Sequence, residues 1–306
     1  MAPKHPTAFR LSIRFPLRAL APALLATTLA ACSPQQMVMR SVADELAAQG
    51  LSAEDDLDLA REASAFYLKF SESVLHPQPG HAGLATAVAS GFTQYAYAFV
   101  AFDADRLEAT DAKAAQRLRE RAARLYRRGR DHALTALEDA IPGFRRALTD
   151  PAARPTLRPD QVALAYWGAA AWGGMISLSK DDPDTVADLP LAIRLAELAW
   201  QADPAFGNGN MASLMGSFES ARPGGSHARA EAYFDEALRL GNGRSAGAFV
   251  AKAEGLAQPA GDKPAFLALL QQAVAIRDEP GSPLALSNEV MRRRARWLID
   301  SADDLF

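Results

Sequence analysis

The chain has one cysteine, Cys32, in 306 residues, so no internal disulfide framework is open to it. It has no acidic residue before Asp44. Residues of β preference are scarce. Ala outnumbers Val plus Ile about four to one, and Ala is the best helix former while β-branched residues favour strands. That balance predicts an all-α fold. Histidine is scarce too: beyond the first segment there are only His76, His81, His132 and His227. No two of these share a helix at metal-ligand spacing, and none has a cysteine partner, so no metal centre or cofactor is expected.

What the N-terminus does have is a pattern. Lys4, Arg10, Arg14 and Arg18 make it basic, and residues 19–31 read ALAPALLATTLAA. This stretch is shorter than the roughly 20 apolar residues that span a bilayer. A basic segment, a short apolar core and small residues at the end form a signal peptide, here residues 1–31. Leu29-Ala30-Ala31-Cys32 reads as a lipobox, in which small residues fit the peptidase and the thiol of Cys32 accepts a diacylglyceryl group. Acylation makes such a chain membrane-anchored, and two or three acyl chains hold where one is marginal. Ser33, rather than Asp, follows the cysteine. The outer membrane is therefore favoured over the inner, with the protein facing the periplasm.

Removing residues 1–31 takes four of the 33 Lys and Arg and none of the 36 Asp and Glu, which leaves a net charge of −7. A chain of that sign lacks the basic footprint of a nucleic-acid binder. Residues 32–52 read as a lipidated tether, with a short helix at 38–48, and 53–306 as one all-α domain.

Within it, Leu59, Ala63, Phe66, Phe70 and Val74 recur at helical steps over 55–74. Pro77 and Pro79 end that helix. Further helices are predicted at 81–102, 111–137, 141–149, 159–179, 184–201, 205–220, 227–240, 245–257, 263–276 and 283–300. Asp182-Pro183, Asp203-Pro204 and Ser282-Pro283 each set an N-cap residue before a proline, which tolerates the first helical position. Links are short, as helix hairpins require. Glu197–Asp203, Asp235–Gly241 and Gln271–Arg277 align as an internal repeat. Their equivalent alanines, Ala199, Ala237 and Ala273, lie 38 and 36 residues apart, near the 34-residue period of tetratricopeptide helix pairs. The expected architecture is an array of antiparallel helix pairs.

Three motifs suggest chemistry and fail on context. Gly243-Arg244-Ser245-Ala246-Gly247 matches G-x-S-x-G, but that elbow needs a strand before it and a histidine after it, and neither is present. Ser177-Leu178-Ser179-Lys180 matches S-x-x-K without the S-D-N and K-T-G partners. It fits a helix end, with Lys180 near the negative pole of the dipole. Gly207-Asn208-Gly209 echoes a phosphate loop without its strand and fits a tight turn. No catalytic residue is assigned.

Two surfaces or linings remain open. Phe92, Tyr95, Phe99 and Phe102 fall on one helical stripe, which suits a packed core and equally the wall of a hydrophobic cavity. Tyr166, Trp167 and Trp172 sit among glycines and alanines and carry the same two readings. Arg117, Arg121, Arg124 and Arg128 form a basic stripe, either a solvated face or a contact for lipid phosphate or an acidic partner.

Taken in order, GFTQYAYAFV, RAARLYRRGRDHAL, YWGAAAWGGMISLSKDD, FDEALRL, RRRARWL and the terminal DDLF resemble the TatT family, the T components of tripartite ATP-independent periplasmic (TRAP) transporters. The resemblance covers residues 37–306. It implies a non-enzymatic periplasmic lipoprotein of tetratricopeptide-like helix pairs and a homotrimer. It also implies a periplasmic substrate-binding protein as partner, docked by this chain, and a cavity that holds or passes a small hydrophobic ligand. The aromatic residues above and Lys180 are the cavity or interface positions it suggests. A general tetratricopeptide-like scaffold in envelope assembly is the alternative.

Overall fold

Alanine and glycine decide how closely these helices lie. The computed structural model describes residues 34–48, 54 and 56–306. Cys32 and the leader fall outside the described residues, as does most of the link 49–55.

Helix α1 (Pro34–Ala48) begins four residues earlier than the sequence suggests, with a proline first. Next come α2 (Leu57–Leu75), capped by the Asp56 carboxylate, and α3 (Ala82–Tyr95), capped by the His81 ring. The α3 helix does not stop where expected. It widens into a π-helical turn, Ala96–Ala101, and continues as α4 (Phe102–Leu107). The long α5 (Ala112–Ala140) follows, capped by Asp111, then α6 (Phe144–Thr149) and α7 (Pro159–Ser177).

The single helix expected at 184–201 is two, α8 (Pro183–Ala187) and α9 (Leu189–Ala202). Pro190 has no N–H to give the carbonyl of Val186, so the ladder breaks between them. The helix expected from 205 begins only at Asn210. A 3₁₀ turn, Phe206–Gly209, precedes it, with Gly207, Asn208 and Gly209 all at positive φ, and α10 (Asn210–Ala221) starts when that run ends. The remainder is α11 (His227–Leu240), α12 (Ala246–Lys252) with a second π-helical turn at Ala253–Ala257, α13 (Lys263–Ala275), α14 (Ala285–Asp300) and α15 (Ala302–Leu305). Among the described residues there is no strand.

The helices pack in sequential pairs, in a tetratricopeptide-like arrangement. The pairs include α5 with α7, α7 with α9, α10 with α11, α12 with α13 and α13 with α14, while α3 rests on both α5 and α7. Ala199, Ala237 and Ala273, the repeat alanines, are all buried, where a longer side chain would push neighbouring helices apart. Gly129 of α5 lets that helix meet the backbone of α3, since a Cβ there would stand 3.0 Å from the carbonyl oxygen of Ala89. Residues 43–306 form one compact unit. Within it α14 returns to touch α2, so the last pair meets the first helix of the array.

Of the apolar positions that marked α2 in the sequence, Val74 is buried. Leu59, Phe66 and Phe70 instead point outward, because the core side of α2 is Ala60, Leu68, Ser71 and Leu75.

Gly209 has φ +103, and a Cβ on it would fall inside the Ala237 carbonyl of α11. Gly143 also has positive φ, +85, but has open space around it. Gly143→Ala should therefore cost about 1 kcal/mol, the left-handed penalty alone. Gly209→Ala should cost about 3 kcal/mol, strain and clash together. Urea denaturation of the two variants measures the difference, and equal losses would mean that the α10–α11 contact is not tight.

Candidate functional site

The two π-helical turns are the least regular parts of an otherwise regular array. A π turn adds a residue to the helical register and is frequent at functional sites. Here the Phe102 N–H reaches back to the Tyr97 carbonyl, and the Gln258 N–H to that of Ala253. Tyr97 in the first turn and Glu254 in the second both line a cavity of about 530 Å³.

Its walls come from six parts of the chain, the first π turn among them. Ser217, Ser220 and Ala221 belong to α10, Ala251 to α12, Gly255 and Pro259 to the second turn and its exit, and Met291 to α14. Lys180, in the loop after α7, stands at the mouth. It is exposed and has no carboxylate partner among the described residues. The serine hydroxyls donate within α10, Ser217 to the Ser213 carbonyl and Ser220 to that of Gly216. The lining is mixed, as small-molecule sites are: apolar walls with a few placed polar groups. Burial raises the Tyr97 phenol well above its ordinary value, and the nearby Arg294 works in the opposite direction.

Arg294 holds the cavity residue Glu254 in place. Its guanidinium grips Glu254 with two hydrogen bonds, Nη2 to Oε1 at 2.6 Å and Nε to Oε2 at 3.0 Å, and reaches Asp105 of α4 with Nη1 at 3.0 Å. Three rings surround it, with Tyr97 at 5.4 Å, Phe102 at 5.6 Å and Trp297 at 5.8 Å from its centre. Burial alone would disfavour this charge. Tyr97, Glu254 and Asp105 outweigh it and hold the group protonated, well above its ordinary value. A buried cation needs such partners, and taking them away leaves uncompensated charge.

The sequence-predicted positions divide. Lys180 is on the cavity. Phe92, Phe99 and Phe102 are buried in the core and do not line it, while Tyr95 is half-buried, 5.5 Å edge-on from Phe99. Phe92 stacks on His132 and lies 4.4 Å under the Arg128 guanidinium, and Arg61 covers Phe99 at 5.1 Å. Phe102 meets Trp297 edge-to-face at 5.7 Å. Tyr166 and Trp172 are buried, Tyr166 against Trp167 and Phe206. Trp172 donates its indole N–H to Asp188 at 3.1 Å, with Arg130 over its ring. The aromatic stripe and the cavity residue Tyr97 lie in one stretch of sequence, and the π turn separates them. Sequence reasoning passed over Tyr97, Glu254, Met291 and Arg294. Arg294 sits in a run of arginines whose charge pattern reads as a solvated face.

The motif residues have local roles. Ser245 caps α12, its hydroxyl accepting from the Ala248 N–H. Asn288 of α14 secures that turn by accepting from Ala246 N–H and donating to the Arg244 carbonyl and Asp278. Ser177 donates to the Gly174 carbonyl. Among the described residues no group of His, Cys, Asp and Glu is arranged to hold a metal ion.

Glu72 of α2 joins α2 to α5. It accepts from Arg128, from Lys69 at 2.6 Å and from His132 at 3.0 Å. Burial opposes its charge, but these donors prevail and lower its carboxyl from 4.5 to about 2.

Comparison with known proteins bears on the whole array. The family model described as TRAP transporter T-component matches residues 53–306. An uncharacterized protein of Treponema pallidum (strain Nichols) is 31% identical over 267 residues, covering 83% of this chain and 81% of that one.

Two outcomes follow from these charges. Arg294→Met should destabilise the fold by about 3 kcal/mol, because Glu254 and Asp105 lose their counter-ion. Chemical denaturation measures it, and a loss under 1 kcal/mol would show that the triad holds nothing. A carboxyl lowered from 4.5 to about 2 stabilises fully above pH 4.5, and that support disappears as pH falls toward 2. Glu72→Gln should therefore lower Tm at pH 7 and flatten its decline between pH 5 and 2, as thermal melts across that range would record.

Proposed function

Because the chain belongs to the TRAP transporter T-component family, we propose that it is a non-enzymatic, periplasm-facing lipoprotein subunit that docks a substrate-binding protein. In this reading it also holds or passes a small hydrophobic ligand in the cavity between the two π turns. No described helix is long and apolar enough to cross a membrane. Cys32 is the proposed anchor, in the outer membrane by the Ser33 criterion, and the working assembly is a homotrimer.

The observation that carries the reading is an open cavity in the surface of a helix-pair array. Such arrays present extended binding surfaces, and a cavity of about 530 Å³ is of the size that takes a small molecule. The walls at Ala221, Ala251, Pro259 and Met291 suit an apolar body, while Tyr97 and Lys180 offer hydrogen-bond donors to one end of it. The buried rings at Phe92, Phe99, Phe102, Tyr166 and Trp172 keep the surrounding helices fixed, and Tyr95 and Trp167 are the less buried of the aromatic group.

The test is capture from the envelope. A tagged chain, crosslinked in cells, should enrich a periplasmic substrate-binding protein. Labelled palmitate should appear on it and vanish in Cys32→Ala. Recovery of envelope-assembly proteins in place of a binding protein would turn the reading to a general scaffold.

A further inference from the structure

The outward side of α5 carries a row of cations that begins in its first turn. The first turn of a helix is its positive end, which acidic residues suit and basic ones do not. The first turn of α5 has no acidic residue. Lys113, Arg117, Arg121 and Arg124 follow at helical spacing, all exposed, and none is in an ion pair among the described residues. Only Glu120 interrupts them, held by Gln116. An acidic chain thus keeps a cationic ridge without ion-pair partners among the described residues.

A second exposed feature lies beside it. Phe66 and Phe70 of α2 are 75% and 44% exposed and stack on each other at 6.0 Å, with Leu59 53% exposed two turns earlier. Both α2 and α5 rest on α3, and Glu72 clips them together through Arg128 and His132. Arg124, Arg121 and Arg117 lead back along α5 from that clip, so the ridge lies on the helix that the clip joins to the one carrying the aromatic strip. Asp58 and Glu62 flank Leu59 toward the start of α2, which Asp58 suits, and Phe66 and Phe70 lie beyond them. The N-terminal segment also arrives here. Tyr67 of α2 donates to the Leu46 carbonyl, and His81 meets Asp44 at 3.1 Å.

We infer that the adjoining outer faces of α2 and α5 form a peripheral membrane-binding surface that recognises anionic lipid. A bilayer takes both features at once: rings enter the headgroup boundary, and mobile cations gain from the negative surface potential without fixed acceptors. A protein partner would instead need the cations held in defined geometry. The inference rests on the anchored reading above only in that a tether beside this face raises its effective concentration at the membrane.

The test removes acylation from the question. The chain from residue 32, carrying Cys32→Ser, retains the whole 43–306 unit. It should co-sediment with phosphatidylglycerol-containing vesicles at low salt, release as salt rises, and bind neutral phosphatidylcholine vesicles weakly. Arg117→Gln, Arg121→Gln and Arg124→Gln together should weaken anionic binding about a hundred-fold, since each surface cation lost costs about five-fold. Phe66→Ser with Phe70→Ser should reduce binding to both vesicle types. Unchanged melting curves would show that these exposed substitutions leave the fold intact. No binding to anionic vesicles, or binding that the arginine variant leaves unchanged, overturns the proposal. So does an arginine variant that keeps vesicle binding but no longer captures a substrate-binding protein, which would assign the ridge to that partner. Failure of palmitate labelling at Cys32 would be read separately and does not bear on the vesicle result.

Discussion

A single buried guanidinium, that of Arg294, ties the end of this array to its beginning. Its partners Asp105 and Glu254 lie 189 and 40 residues away in sequence. A row of helix pairs in contact only with their neighbours would leave its ends apart. Here α14 returns toward α2, and Arg294 helps to hold it there, because its largely buried charge is paired with two part-buried carboxylates. The cavity wall at Met291 exists because α14 is held in this place.

The same constraint gives the π turns a purpose. Each interrupts a helix at a point that supplies a group to the centre: Tyr97 from the first turn, with Asp105 just beyond it, and Glu254 from the second. An uninterrupted α-helix would carry these side chains on a different register. Elsewhere the described helices carry no other π turn. They meet through alanine and glycine, as at Gly174, where a Cβ would stand 2.7 Å from the Tyr126 ring. Close packing around the cavity and openness within it therefore arise from different residues, small ones in the former and displaced ones in the latter.

For a member of a transporter component family, this is an economical design. Polar groups that could suggest catalysis are used in folding: Ser245 as a cap, Asn288 as a turn clamp, Asp182 as a cap for α8. Of the charged groups that structural pairing does not consume, Lys180 is at the cavity mouth and the arginines of α5 are on the outer surface.

Much of this was legible in the sequence. Alanine content and the scarcity of β-branched residues determined the all-α class. Proline and its preceding cap residues located most helix starts, and the repeat alanines identified positions that are buried in the packed array. These are local properties, encoded by residues near one another. The sequence could not say which side of α2 would be covered, since its apolar positions describe both a core side and an exposed strip. Nor could it separate Tyr97 from the aromatic stripe around it, or Arg294 from the arginines beside it. Burial of a charge depends on partners brought from distant segments, and the register of a helix past a π turn depends on what must be reached there. The sequence determined which helices form. Tertiary structure alone decided which side chains face the cavity, because that depends on the closure of the array by Arg294.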